Sequence, residues 1–180
     1  MRKIILIAAA IFFALTGTVS ASNSSQYLNS VGVVIVGGAE FKTNDFYNVI
    51  KDRFKPLSGA KIVVGNELQT LYKKYWLNRG FIGEQPTQKS DLIEFAAMSG
   101  CDKVICLIVT DTVDKQNSSN HRQKSRVSVQ VDAYLCTRTD VVDVFSASDD
   151  ENSKGSPLRA RRGAFDKCLK EIVKSLNQKI

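Results

Sequence analysis

The side chains here that could do chemistry are four cysteines, one histidine and a few clustered carboxylates. His121 stands in a polar stretch with no second imidazole to share a metal, so it reads as a surface residue rather than a base. Asp111 and Asp114 follow an apolar run, where open sheets often place functional groups. Two carboxylates without further ligands define no site, and capping and solvation explain them. Gly37-Gly38 could cradle a phosphate, but a dinucleotide fingerprint needs further glycines opening a helix, and Ala39-Glu40-Phe41 breaks it. Asp149-Asp150-Glu151-Asn152 is acidic, yet it lacks the alternating ligands and the glycine of a calcium loop, so a solvated turn is expected. Cys101-x4-Cys106 is not the spacing of a zinc knuckle, and Cys136 and Cys168 lie far away. No catalytic, cofactor-binding or metal-ligating residue is therefore assigned, and the chain is expected not to be an enzyme.

The elements that must position these residues are organised around one stretch. Val104 to Val109 is an unbroken apolar run, β-branched at four of six positions. A run this short and branched suits a strand covered on both faces. Ser90 to Gly100 upstream reads as a short helix with a Ser cap and a terminal glycine. Val31 to Val36 is a second interior strand, and Asn44 to Phe54 a helix with Phe46, Val49, Ile50 and Phe54 on one face. Ala60 to Val64 is a strand, and Glu67 to Leu77 a helix whose Leu68, Leu71, Tyr72 and Tyr75 share a face. Thr112 to Ser125 reads as a long surface loop. Arg126 to Cys136 alternates apolar and polar residues, as a half-exposed strand does, and Val141 to Ala147 returns as its hairpin partner. Ser156-Pro157 starts the last helix, which runs to about Asn177 with a stripe of Phe165, Cys168, Leu169, Ile172, Val173 and Leu176. The expected fold is α/β (α+β), a mixed sheet of about five strands with helices packed on it, in the order β-α-β-α-α-β-β-β-α.

The amino terminus reads as a targeting signal. Arg2 and Lys3 precede the apolar run Ile4–Leu15, and Val19-Ser20-Ala21 supplies the small-x-small cleavage pattern. Residues 1–21 are expected to be removed after Ala21, leaving a single domain over 22–180 that is periplasmic or secreted. The net charge of +7 includes Arg2 and Lys3, so the processed chain carries +5. That favours anionic neighbours, acidic phospholipid or a negative protein face rather than nucleic acid. Peripheral membrane contact through the basic last helix is the lesser expectation. In an oxidising compartment the four cysteines form one or two disulfides or stay as buried thiols, and spacing does not separate these outcomes.

The chain resembles the α/β domain shared by the amino-terminal part of TolB, CsgG-type secretion proteins and the lipoprotein activators of peptidoglycan synthases. Phe95-Ala96-Ala97-Met98-Ser99-Gly100-Cys101-Asp102-Lys103-Val104-Ile105 resembles their helix-Gly-Ala-Asp-strand passage. Thr137-Arg138-Thr139-Asp140-Val141-Val142 resembles their hairpin, with Asp140 in place of the usual turn glycine. Ala164-Phe165 with Leu169 and Ile172 resembles their closing helix. The likeness implies an exported, non-catalytic envelope module that binds another envelope protein, with no cofactor. The alternative is a small-ligand-binding protein or enzyme with a pocket at the end of strand 104–109, near Asp111, Asp114 and Gly37-Gly38. For the interaction module, the candidate contacts are Trp76, Phe81 and Ile82, at the end of one helix and in the glycine-flanked loop after it. If the loop folds inward they are core. The expectation is that it is at least partly exposed and takes part in binding.

Overall fold

The structure, a computed structural model, describes residues 29–57, 59–81, 83, 86, 88–116, 124–154 and 156–177. The expected signal segment 1–21, Ile82 and His121 lie outside the described residues. Five strands form one mixed sheet: β1 (Ser30–Val36), β2 (Lys61–Val63), β3 (Lys103–Gln116), β4 (Lys124–Thr137) and β5 (Val141–Ser153). Their spatial order is β2-β1-β3-β4-β5. β1 is parallel to both β2 and β3, and β3, β4 and β5 form an antiparallel meander. Parallel neighbours need a crossover. Helix α1 (Asn44–Phe54) supplies one, and α2 (Asn66–Asn78) with α3 (Lys89–Met98) supplies the other. Helix α4 (Pro157–Leu176) closes the chain, and Ser156 Oγ accepts the Leu158 N–H at 3.2 Å as its cap. The expected order of elements is the order observed.

The sheet separates two cores. On one face Val33, Ile35, Ile105, Leu107 and the alternating Val127, Val129, Val131, Ala133 and Leu135 meet α1 and α4. An edge-to-face cluster sits at its centre, Phe46 lying 5.1 Å from Phe41 and 5.3 Å from Phe165. On the other face Val34, Val36, Val104 and Cys106 meet Leu68, Tyr72, Trp76, Leu92 and Phe95 from α2 and α3. β2 pairs only with Ser30–Gly32, so the outer edge of β1 runs out of strand partner. The buried Gln69 side chain of α2 takes over, accepting the Ile35 N–H at 3.0 Å and donating to its carbonyl at 2.8 Å. At the other end Asp102 accepts the Ser30 N–H at 2.9 Å and aligns β1 with β3. Gly37 leaves β1 so close to β3 that a Cβ would meet the Val109 carbonyl at 2.6 Å, which fits the expected turn.

Three expectations on extent need correction. β3 does not stop at Val109: it continues to Gln116, so the expected loop Thr112–Ser125 is strand at both ends. Val113 pairs with Val127 and Asp111 with Val129, and this register carries the strand through polar residues. Asp149–Asn152 is likewise strand rather than a turn, with Lys167 holding Asp149 at 3.3 Å and Glu151 at 2.6 Å. Helix α3 starts at Lys89 on a Gln88 cap rather than at Ser90, because the Asp91 carboxylate accepts the Gln88 N–H at 2.9 Å.

All four cysteines are free and buried. Cys101, Cys106 and Cys136 lie in the second core and Cys168 in the first, so the sheet keeps Cys168 from pairing with the others. Burial pushes the thiols of Cys106 and Cys136 up to about 12 and that of Cys168 up to about 11. An unfolded thiol ionises near pH 8.5, so above that pH the unfolded chain holds fewer protons than the folded one. Stability should therefore be complete below about pH 8.5 and fall as pH rises toward 12. In reductant, Cys106→Ala should flatten the fall in urea-unfolding free energy by about 1.4 kcal/mol per pH unit between about pH 9 and 11. An unchanged slope would place that thiol in water or in a disulfide.

Candidate functional site

The two carboxylates flagged beyond the apolar run do not converge. Asp111 and Asp114 are three residues apart on one strand and project to opposite faces of the sheet. Asp111 turns toward α4, where Arg161 Nε donates to its carboxylate at 2.7 Å. The two side chains are only 17% and 14% exposed. The Arg161 guanidinium also lies 3.9 Å from Glu40 and 5.8 Å above the Phe41 ring, which is buried in the first core. Asp111 is thus the counter-ion of a tie between α4 and the middle of β3. Gly37 and Gly38 lead into the 3-10 turn Ala39–Phe41, which brings Glu40 and Phe41 to the same arginine.

Beyond the reach of α2 and α3, the second face of the sheet is open. Thr110, Thr112, Ser128, Gln130, Ser148 and Asp150 line a shallow concavity of about 310 Å³ there. Of the three carboxylates at its lining, Asp150 pairs with Arg126 at 3.0 Å, Asp111 with Arg161 and Asp149 with Lys167. Among the described residues no group of three or more His, Cys, Asp or Glu side chains could hold a metal.

The end of α2 is built differently. Gly80 adopts φ +81°, its N–H reaches the Leu77 carbonyl at 3.0 Å and the Phe81 N–H reaches the Trp76 carbonyl at 3.1 Å. This is a Schellman motif, and the apolar contact that accompanies it is made by Phe81 standing edge-on to Trp76, ring centroids 5.6 Å apart. Trp76 is buried at 1% exposure, whereas Phe81 is 40% and Leu77 53% exposed. Trp76 therefore serves as the floor on which Phe81 is displayed. Among the described residues its indole Nε1 has no hydrogen-bond partner.

Arg79 locks the start of the connection to α3. It pairs with Glu94, donates to the Tyr75 hydroxyl at 2.9 Å and lies 3.3 Å from the buried Asp91 carboxylate. Burial, together with the Glu94 carboxylate that accepts its hydroxyl at 3.1 Å, pushes Tyr75 up to about 12. Arg79, Asp91 and Arg161 were not singled out from the sequence. The spacing Gln88-x-x-Asp91 was the readable sign of a capping box. For Arg161 the sign was weaker, a cation set beside the apolar stripe of α4.

No family model matches the chain, and no curated protein matches it in sequence. Among solved structures it is similar to lipoprotein GNA1162 from Neisseria meningitidis, with 16% identity, 84% of this chain and 99% of that chain covered, and a TM-score of 0.45. It is also similar to the hypothetical protein CT253 from Chlamydia trachomatis, with 12% identity, coverages of 84% and 97%, and a TM-score of 0.42. For a minor lipoprotein from Acinetobacter baumannii the values are 11% identity, coverages of 84% and 94%, and a TM-score of 0.36. Likenesses this distant carry no argument about what this chain binds.

A structural role for Asp111 has a measurable signature. Removing one partner of a mostly buried ion pair strands the other, whereas replacing both with apolar groups is close to neutral. Arg161→Met should lower unfolding free energy by about 3 kcal/mol, and Asp111→Leu combined with Arg161→Met should recover most of it. If Arg161→Met unfolds at the wild-type denaturant midpoint, the pair does not hold α4 to β3.

Proposed function

We propose that this chain is an exported, non-catalytic protein-interaction module of the cell envelope, and that it contacts its partner through the Phe81 end of α2. The observation that carries this reading is a large aromatic side chain packed edge-on against the buried Trp76 yet 40% exposed. The Schellman bonds fix its backbone and the Trp76 ring backs it. Aromatic anchors of this kind dominate interface energy when a partner desolvates them, and fixing them in advance lowers the entropy lost on binding. Leu77, one turn earlier and 53% exposed, extends the apolar surface beside it.

The groups that an enzyme would need are engaged elsewhere, which supports the non-catalytic reading. Asp111 is held by Arg161, Asp150 by Arg126, and burial raises all four thiols, which disfavours the nucleophilic thiolate. The expected signal sequence supports export.

A photo-crosslinking amino acid at position 77, beside Phe81, should capture one recurring envelope protein, and the same probe at Val142, which is exposed on β5, should not. Phe81→Ser should reduce capture at least tenfold while lowering stability by only about 1 kcal/mol. Capture that is equal from both positions, or that survives Phe81→Ser, would rule this surface out.

A further inference from the structure

The structure points to a second surface, independent of Phe81: we propose that the amino-terminal half of α4, with the facing edge of α1, docks on a bilayer of anionic phospholipid. Three cations in this region already have carboxylate partners. Arg53 donates to Asp166 at 2.6 Å, Lys55 to Asp52 at 2.7 Å, and Lys167 holds Asp149 and Glu151. Arg159, Arg162 and Lys154 are exposed, and their side chains make no ion pair or hydrogen bond among the described residues. Arg53, Lys55 and Lys167 stand against four carboxylates, Asp166, Asp52, Asp149 and Glu151, so these three further cations leave a surplus of two positive charges.

The shape favours a surface over a pocket. Two open grooves, of about 440 and 570 Å³, flank α4 and share Arg159, Gly163 and Asp166. One runs against Val49, Asp52 and Arg53 of α1, the other against Glu151–Lys154 at the end of β5. Both are open to solvent rather than enclosed, unlike the desolvated pockets that seat a partner's anchoring side chain. Beside them Leu158 is 45% exposed, adjacent to Arg159 in sequence and one helical turn before Arg162. An exposed leucine one helical turn from an unpaired arginine matches the boundary between headgroups and acyl chains, where cations meet phosphates and the apolar side chain enters. No helix among the described residues is long and apolar enough to cross a membrane, so the contact described is one lying on the surface. The basic residues of α4 were legible in the sequence. The structure adds which of them are unpaired and that Leu158 stands among them.

The test uses the processed chain beginning at Ser22, which retains every described element, and sedimentation with large vesicles. Vesicles of equal parts phosphatidylglycerol and phosphatidylcholine should bind it, pure phosphatidylcholine should not, and binding should weaken between about 0.05 and 0.5 M salt. Each arginine is worth about fivefold near such a surface, so Arg159→Gln with Arg162→Gln should weaken binding about 25-fold. Leu158→Ser should weaken it about tenfold and leave the salt dependence unchanged. Lys73→Gln with Lys74→Gln removes the same charge from exposed positions on α2, on the other face of the sheet, and should change little. Equal loss in the Lys73/Lys74 and Arg159/Arg162 variants, or equal binding to both vesicle types, would overturn the proposal. So would capture by polyglutamate without vesicle binding, which would assign the patch to an acidic protein segment instead.

Discussion

The fold depends on burying β3 on both faces while satisfying its backbone on both edges. Between Val104 and Val109 its alternate side chains enter two different cores, so no polar side chain can be placed there without loss of hydration. β1 supplies a parallel partner on one edge and β4 an antiparallel one on the other, which leaves no open edge in the dry interior. β1 meets the same demand with less help, because β2 is only three residues long. The Gln69 amide completes it by bonding both polar groups of Ile35, as a neighbouring strand would. The Ser30–Asp102 bond then sets where the two parallel strands begin.

The interior strands and the stripe of α4 were legible because burial leaves a direct mark on composition. Val31–Val36 and Val104–Val109 are continuous runs, and Phe165, Cys168, Leu169, Ile172, Val173 and Leu176 repeat at helical spacing. The outer halves of β3 and β5 were not legible, because polar strands are held by cross-strand register and by cations from α4 and β4. Lys167 reaches Asp149 and Glu151 across a gap that α4 can close because Gly163, whose Cβ would stand 3.1 Å from Glu151, has no side chain. The Thr137–Asp140 turn shows the converse. It lacks the expected glycine, and the Thr137 hydroxyl closes it by accepting the N–H groups of Asp140 at 3.0 Å and Thr139 at 3.3 Å. Gln69, Asp91 and Arg161 escaped notice for one reason: each bonds a residue distant in sequence or works at a helix end, so its partner appears only once the chain is folded.

The same logic orders the surface. Side chains that looked chemically useful are consumed by the architecture, Asp111 above all, while Phe81 keeps an exposed edge and the Arg159 and Arg162 side chains remain unpaired among the described residues. These two surfaces lie on opposite layers, Phe81 with α2 and the arginines with α4. Occupation of one would leave the other open, and their effects can be separated by mutation.

The most direct measurement of the central claim, that β3 is the shared floor of both layers, is native-state hydrogen exchange followed residue by residue. The amides of Val104–Val109 and of their partners in β1 and β4 should exchange last, and only through global unfolding, with the same free energy as equilibrium denaturation. The outer ends of β3 and β5 should open earlier. If the β3 amides exchange through a cheaper, local opening while α4 stays protected, the two layers are independent units and β3 does not join them.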